Sequence, residues 1–219
     1  VKIKPLLARL QSTIGRNDLI EQMVLIPEPQ KSITKRVKEA NSINLIVGYD
    51  ASPNSHTALD IAFCIAHQTH LATNTQVTVQ AVYVIENKLN HGYSSNFSLF
   101  ADQPLLECPS SNINHSNTLL AEQPKLQDLA RYLSSTSTAL FHQADKILWQ
   151  AKSLAEEWQG SFKSHLRWGN VGTEFRKIVE SEAADILFLG CQSIHHPLIH
   201  MLGHHFPCAV VGIPSCINE

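Results

Sequence analysis

This sequence is poor in charge. Only 16% of its 219 residues are Asp, Glu, Lys or Arg, and the formal net charge is −2. Nucleic-acid binders draw their affinity from dense Lys and Arg, so no nucleic-acid partner is expected. No run of about 18 apolar residues occurs, which argues against a membrane-spanning helix. Lys2 and Lys4 lead into no continuous apolar stretch, so no secretory signal is expected. The five cysteines (Cys64, Cys108, Cys191, Cys208, Cys216) include no C-x-x-C pair. They are expected to be reduced thiols of a cytoplasmic protein. There is also no G-x-S-x-G elbow, no H-E-x-x-H and no P-loop G-K-[ST]. No catalytic residue is nominated, and the chain is not expected to be an enzyme.

What is present is a substantial apolar content, 43%, enough for a sizeable core. The charge that exists is unevenly spread. Residues 1–40 hold eight Lys/Arg against four acids, whereas residues 41–219 hold nine against fifteen. A basic amphipathic extension and linker, residues 1–42, therefore precedes an acidic domain, residues 43–214. In the extension, Ile3, Leu6, Leu7, Leu10 and Ile14 fall on one face of a helix. Asp18 is placed to cap a second short helix through Val24, and "PEPQ" at 27–30 breaks the pattern. The apolar face of this arm is expected to pack on its own domain or across a dimer. Contact with an anionic membrane surface is the less favoured reading, because the net positive charge is small.

From residue 43 the pattern alternates between strand and helix. Ile43, Leu45, Ile46 and Val47 form a short apolar run, as a buried parallel strand does. Ser52 is a good N-cap and Pro53 suits the first helical position. Residues 76–86 form a second strand, and residues 87–128, rich in Asn, Ser, His and Pro, form a long loop insertion. Residues 138–160 give a helix with Gly160 as its expected C-cap. Residues 161–168 alternate, with Phe162, Leu166 and Trp168 on one face and Lys163, His165 and Arg167 on the other, which suits an edge strand. A helix at 172–183, a strand at 185–190 and a last strand at 208–214 follow. Strands alternating with helices predict an α/β, doubly wound, Rossmann-like parallel sheet covered on both faces. Ligands of such sheets sit at the carboxyl ends of the strands.

These segments resemble the universal stress protein family over about residues 43–214, the insertion excepted. "INLIVGYDASPNSHTALDIA" resembles the family's opening strand, Asp-x-Ser turn (Asp50, Ser52) and first helix. "VQAVYVIE" resembles its second strand. "SLAEEWQGSFKSHLRWGNVGTEFRKIVESEAADILFLG" resembles the long helix, third strand, next helix and fourth strand, and "FPCAVVGIP" the closing strand. The resemblance implies a five-stranded parallel sheet of order 3-2-1-4-5 and a homodimer paired through the last strand, residues 208–213. It also implies an ATP site in many members, built on G-x2-G-x9-G-[ST] after the fourth strand. Here Gly190 and Gly203 match the first and third glycines, Ser193 stands at the second, and His204 replaces the final hydroxyl. On this resemblance the candidate nucleotide-binding residues are Asp50, Ser52, Val84, Gly190, Ser193 and Gly203.

The chain length works against that site. If the crossover helix began at Gly203, only residues 204–207 would remain before the strand at Cys208. A parallel crossover takes roughly 10 or more residues. A helix is therefore expected inside 196–206, with Pro197 in its first turn and Leu198, Met201 and Leu202 toward the sheet. The expected protein is non-catalytic, with a degenerate or absent nucleotide site, no required cofactor, and action through dimerisation and an unidentified protein partner. An ATP-binding switch of the same fold is the first alternative, and a nucleotide- or flavin-dependent enzyme the second. His196 and His200, one helical turn apart among five nearby histidines, are a weak metal candidate with no spaced acidic or cysteine partner. A polar solvent-facing stripe is the preferred reading. Cys191 is more readily a buried inert thiol than a reactive one, and Asp50 is as readily a turn cap as a ligand contact.

Overall fold

The computed structural model describes residues 3–15, 17–29, 42–86, 126–203 and 205–214. The chain divides into a unit of residues 1–87 with 139–219 and a unit of residues 88–138. Of the second unit, only a helical stretch from residue 126 lies among the described residues, so the expected insertion 87–128 falls almost wholly outside them.

The first unit opens with helices α1 (Ile3–Ile14) and α2 (Leu19–Met23) and strand β1 (Val24–Ile26). There follow β2 (Ser42–Gly48), α3 (Pro53–Thr73), β3 (Gln76–Ile85), α4 (Leu126–Trp158), of which residues 139–158 belong to this unit, β4 (Ser161–Trp168), α5 (Val171–Ser181), β5 (Ile186–Phe188), α6 (Pro197–Leu202) and β6 (Ala209–Val211). The local signals work as physical chemistry requires. Ser52 Oγ accepts the Ser55 backbone N–H at 3.2 Å and so caps α3, with Pro53 in its first turn. Asn170 caps α5 through the Thr173 N–H at 3.1 Å. The left-handed residue after α4 is Gln159, at φ 51, rather than the expected Gly160.

The strands form one sheet of order β1-β6-β5-β2-β3-β4. β2 pairs in parallel with β3 and β5, β3 with β4, and β5 with β6. Among the described residues the sheet thus has six strands, where five were expected. The addition is β1, which lies antiparallel on β6 with Val24 opposite Val211 and Ile26 opposite Val210. It is reinforced by a 2.7 Å bond from the Gly212 N–H to the Met23 carbonyl. The outer edge of residues 209–211, where the resemblance placed a second copy, carries the chain's own β1.

Side chains alternate across the sheet and build two cores. On one face Leu45, Val47, Val79, Ala81, Phe188 and Val211 meet α3, the arm and the last turns of α4. On the other, Ile46, Val82, Leu187 and Val210 meet α5 and α6. Leu6, Leu7, Leu10, Leu19 and Met23 of the arm are all buried in the first core. The arm therefore packs on its own domain. In α6 the buried residues are Ile199 and Leu202, while Met201, expected toward the sheet, is exposed. Among the described residues no helix is long and apolar enough to cross a membrane.

Candidate functional site

The strand order reverses at β2: its chain neighbour β3 lies on one side and β5 on the other. Ligands of open α/β sheets enter the crevice at that point, beyond the carboxyl ends of the strands. Asp50 and Ser52 leave β2 there, and Gly190 and Ser193 leave β5.

Asp50 and Ser52 are held in a tight turn. Asp50 Oδ1 accepts the Ser52 N–H at 3.0 Å, the Ser55 hydroxyl donates to the Ser52 carbonyl at 3.0 Å, and the Asp50 N–H reaches Ser55 Oγ at 3.3 Å. Between them Ala51 sits at φ 64, a left-handed conformation unusual for a residue with a Cβ. Both side chains are therefore engaged in starting α3. Beside them lies a group that the sequence did not nominate. Tyr49 is buried, and its hydroxyl shares a 2.7 Å hydrogen bond with His56 Nε2. Burial first, then the Asp50 and Asp60 carboxylates, push the Tyr49 hydroxyl up to about 12, so it stays neutral. Burial and then Asp50 and Glu86 push Tyr83 up as well. Only a neighbour seven residues away, one helical turn into α3, marks the Tyr49–His56 pair in the sequence, and that spacing is not distinctive.

Gly190 meets this turn from β5. A Cβ placed on it would come within 2.8 Å of the Asn54 carbonyl carbon and of the Ser55 nitrogen. The absence of a side chain at 190 thus lets β5 approach the first turn of α3. Ser193 is exposed, and its Oγ accepts the His195 N–H at 3.2 Å. The chain then enters α6. His196 is its N-cap, with Nδ1 accepting the Leu198 N–H at 3.2 Å. Gly203 is its C-cap, at φ 74 and ψ 166, with its N–H directed to the Ile199 carbonyl at 3.3 Å. A phosphate cradle needs free N–H groups at a helix start. At Gly203 a helix ends, and the amide is committed to it. The expected crossover helix is present, and the third motif glycine closes it. Val84 is half-buried against the second core, paired in register with Arg167.

The two histidine candidates, His196 and His200, both lie among the described residues. The His196 imidazole is used as a cap, and burial lowers its pKa. His200 is exposed, and His204 lies outside the described residues. Among the described residues no three His, Cys, Asp or Glu come together to hold a metal. Burial pushes the Cys191 and Cys208 thiols up to about 12, the environment of inert thiols.

The sheet order, the two covered faces and the crevice define an open α/β domain of the doubly wound type. The sequence model of the Universal stress protein family matches residues 43–205, and the chain belongs to that family. Among solved structures it is similar to a universal stress family protein from Burkholderia pseudomallei, at 14% identity and a TM-score of 0.46, over 78% of this chain and 96% of that one. It is also similar to universal stress protein UspA from Lactobacillus plantarum, at 18% identity and a TM-score of 0.46, over 78% of this chain and 97% of that one. No curated protein matches the sequence.

Proposed function

We propose that this chain is a non-catalytic, cytoplasmic stress-response protein of the universal stress type that works through protein contacts and has lost its nucleotide site. The observation that carries the reading is the crossover from Gly190 to Cys208. Its length is spent on α6, Gly203 caps the end of that helix, and Gly190 lies against the backbone of α3. The glycine pair thus has packing and capping work to do without any phosphate. A second copy remains a natural partner, but β1 covers the edge of β6, so that copy has to meet another surface. No cofactor is required by this reading.

The test is to denature the purified protein and chromatograph what it releases, and to titrate the native protein with ATP by calorimetry. The expected result is no stoichiometric nucleotide and no saturable ATP binding in the micromolar range. Stoichiometric adenine nucleotide would establish the ATP-switch reading instead, and released flavin the enzyme reading.

A further inference from the structure

The two edges of the sheet are not equivalent. At one end β1 has three residues, and Pro27 and Pro29, both exposed, follow at once. A short strand running into prolines is a poor template for another strand. At the other end β4 runs for eight residues, Ser161–Trp168, without Pro or Gly, and among the described residues it pairs with β3 alone. Its outer row of backbone groups is a ready template for strand addition.

The side chains of β4 state what such a strand would carry. On the second face Lys163, His165 and Arg167 stand in a row, and the strand has no acidic residue. Glu182 answers Lys163 at 3.6 Å. Arg167 Nε is buried and has no partner among the described residues. Next to the row, Gln80 is fully buried on β3. Its Oε1 lies 2.7 Å from His165 Nε2, and its Nε2 has no partner among the described residues. Exchanging the two amide atoms would only leave the oxygen unpaired instead. A buried polar group without a partner is costly, and Arg167 Nε, on the edge strand itself, points to an incoming group that completes it, whereas Gln80 lies one strand further in. On the first face Phe162 packs at 6.1 Å from Phe63, and the exposed Trp168 ring lies 6.0 Å from the exposed Phe141.

We infer that β4 is a docking edge for an extended protein segment that alternates acidic and apolar residues, its acids set against Lys163 and Arg167 and its apolar side chains against Leu166, Trp168 and Phe141. A second copy of this chain is the wrong occupant. A two-fold axis normal to the sheet keeps each face on its own side, so the cationic rows of two β4 strands would oppose one another, and like charges directly opposite destabilise a strand pair. The row thus repels self-pairing and selects an acidic partner. This deepens the contact-based reading above. That reading is tested by released nucleotide, so either can fail without the other.

The test uses a fluorescein-labelled peptide alternating Glu and Val over seven residues, and its Lys–Val counterpart, with the intact protein. Fluorescence anisotropy is expected to show the acidic peptide binding at least about tenfold more tightly than the basic one. Hydrogen exchange is expected to slow within residues 161–168 on binding. The double variant Lys163→Gln/Arg167→Gln is expected to weaken the acidic peptide about tenfold while leaving the urea midpoint close to that of the parent. No binding, equal affinity for the two peptides, or protection confined to residues outside 161–168 would each overturn the assignment. Should the double variant prove unstable, the peptide comparison on the parent protein decides the matter alone.

Discussion

Replacing Leu7 by alanine tests how firmly the arm is built into the domain. Leu7 is fully buried on α1, within the core that α3 and the sheet share. Truncating a buried leucine removes its transfer free energy and leaves a cavity, at a cost of about 2–5 kcal/mol. With a urea m-value of about 2–3 kcal/mol/M, that cost lowers the unfolding midpoint by about 0.7–2.5 M. The control is Lys4→Ala on the exposed side of the same helix, expected to change stability by less than about 0.5 kcal/mol. Both are measured by urea denaturation followed by circular dichroism. If Leu7→Ala behaved like Lys4→Ala, the arm would not be docked in solution. The packing of Leu6, Leu10, Leu19 and Met23 would fall with it, and liposome flotation would become the next experiment.

Gly190→Ala forces a Cβ against the backbone of Asn54 and Ser55 and is expected to cost about 1–3 kcal/mol in nucleotide-free protein. A neutral result in the same urea assay would contradict the packing role. Gly203→Ala meets no atom within 4 Å, so its cost, about 1–3 kcal/mol, is backbone strain alone. Burial lowers the pKa of both His165 and His196, with Arg167 and Lys163 adding to the effect at His165 and Glu182 opposing it. The unfolded chain therefore takes up these protons first. Stability is whole above about pH 6.5 and is lost as pH falls through the folded values. Midpoints at pH 7.5 and 5.5 are expected to show the drop, and His165→Gln/His196→Asn to reduce it. An undiminished drop in the double variant would assign it to other groups. Cys191 and Cys208 are expected to resist iodoacetamide in the native protein and to react once it is unfolded, as peptide mass mapping would show. Rapid native labelling would refute the buried-thiol assignment.

What could be read in advance followed the range of the forces involved. Ser52 and Pro53 announce α3 because capping is local, and the alternation of residues 161–168 announces β4 because a strand half in water displays its period. β1 was not legible. Three apolar residues after a short helix carry no period of their own, and only β6, far along the chain, makes them a strand. Met201 and Ile199 exchanged roles because a six-residue helix is turned by its neighbours rather than by a repeating face. At the site, the Asp50 and Ser52 turn was visible as a motif. The work of Gly190 was not, since it depends on how closely β5 comes to α3. Gln80 was hidden inside the apolar run of β3, where a single polar residue does not change the strand pattern.

The pairing of Val24 with Val211 also sets a schedule for synthesis. Of the six strands β1 leaves the ribosome first and β6 last, and at about 5–20 residues per second roughly 10–40 s separate them. Through that interval the greasy side of the arm has no finished seat. That seat is complete only when the final strand emerges and the two ends of the domain close on each other.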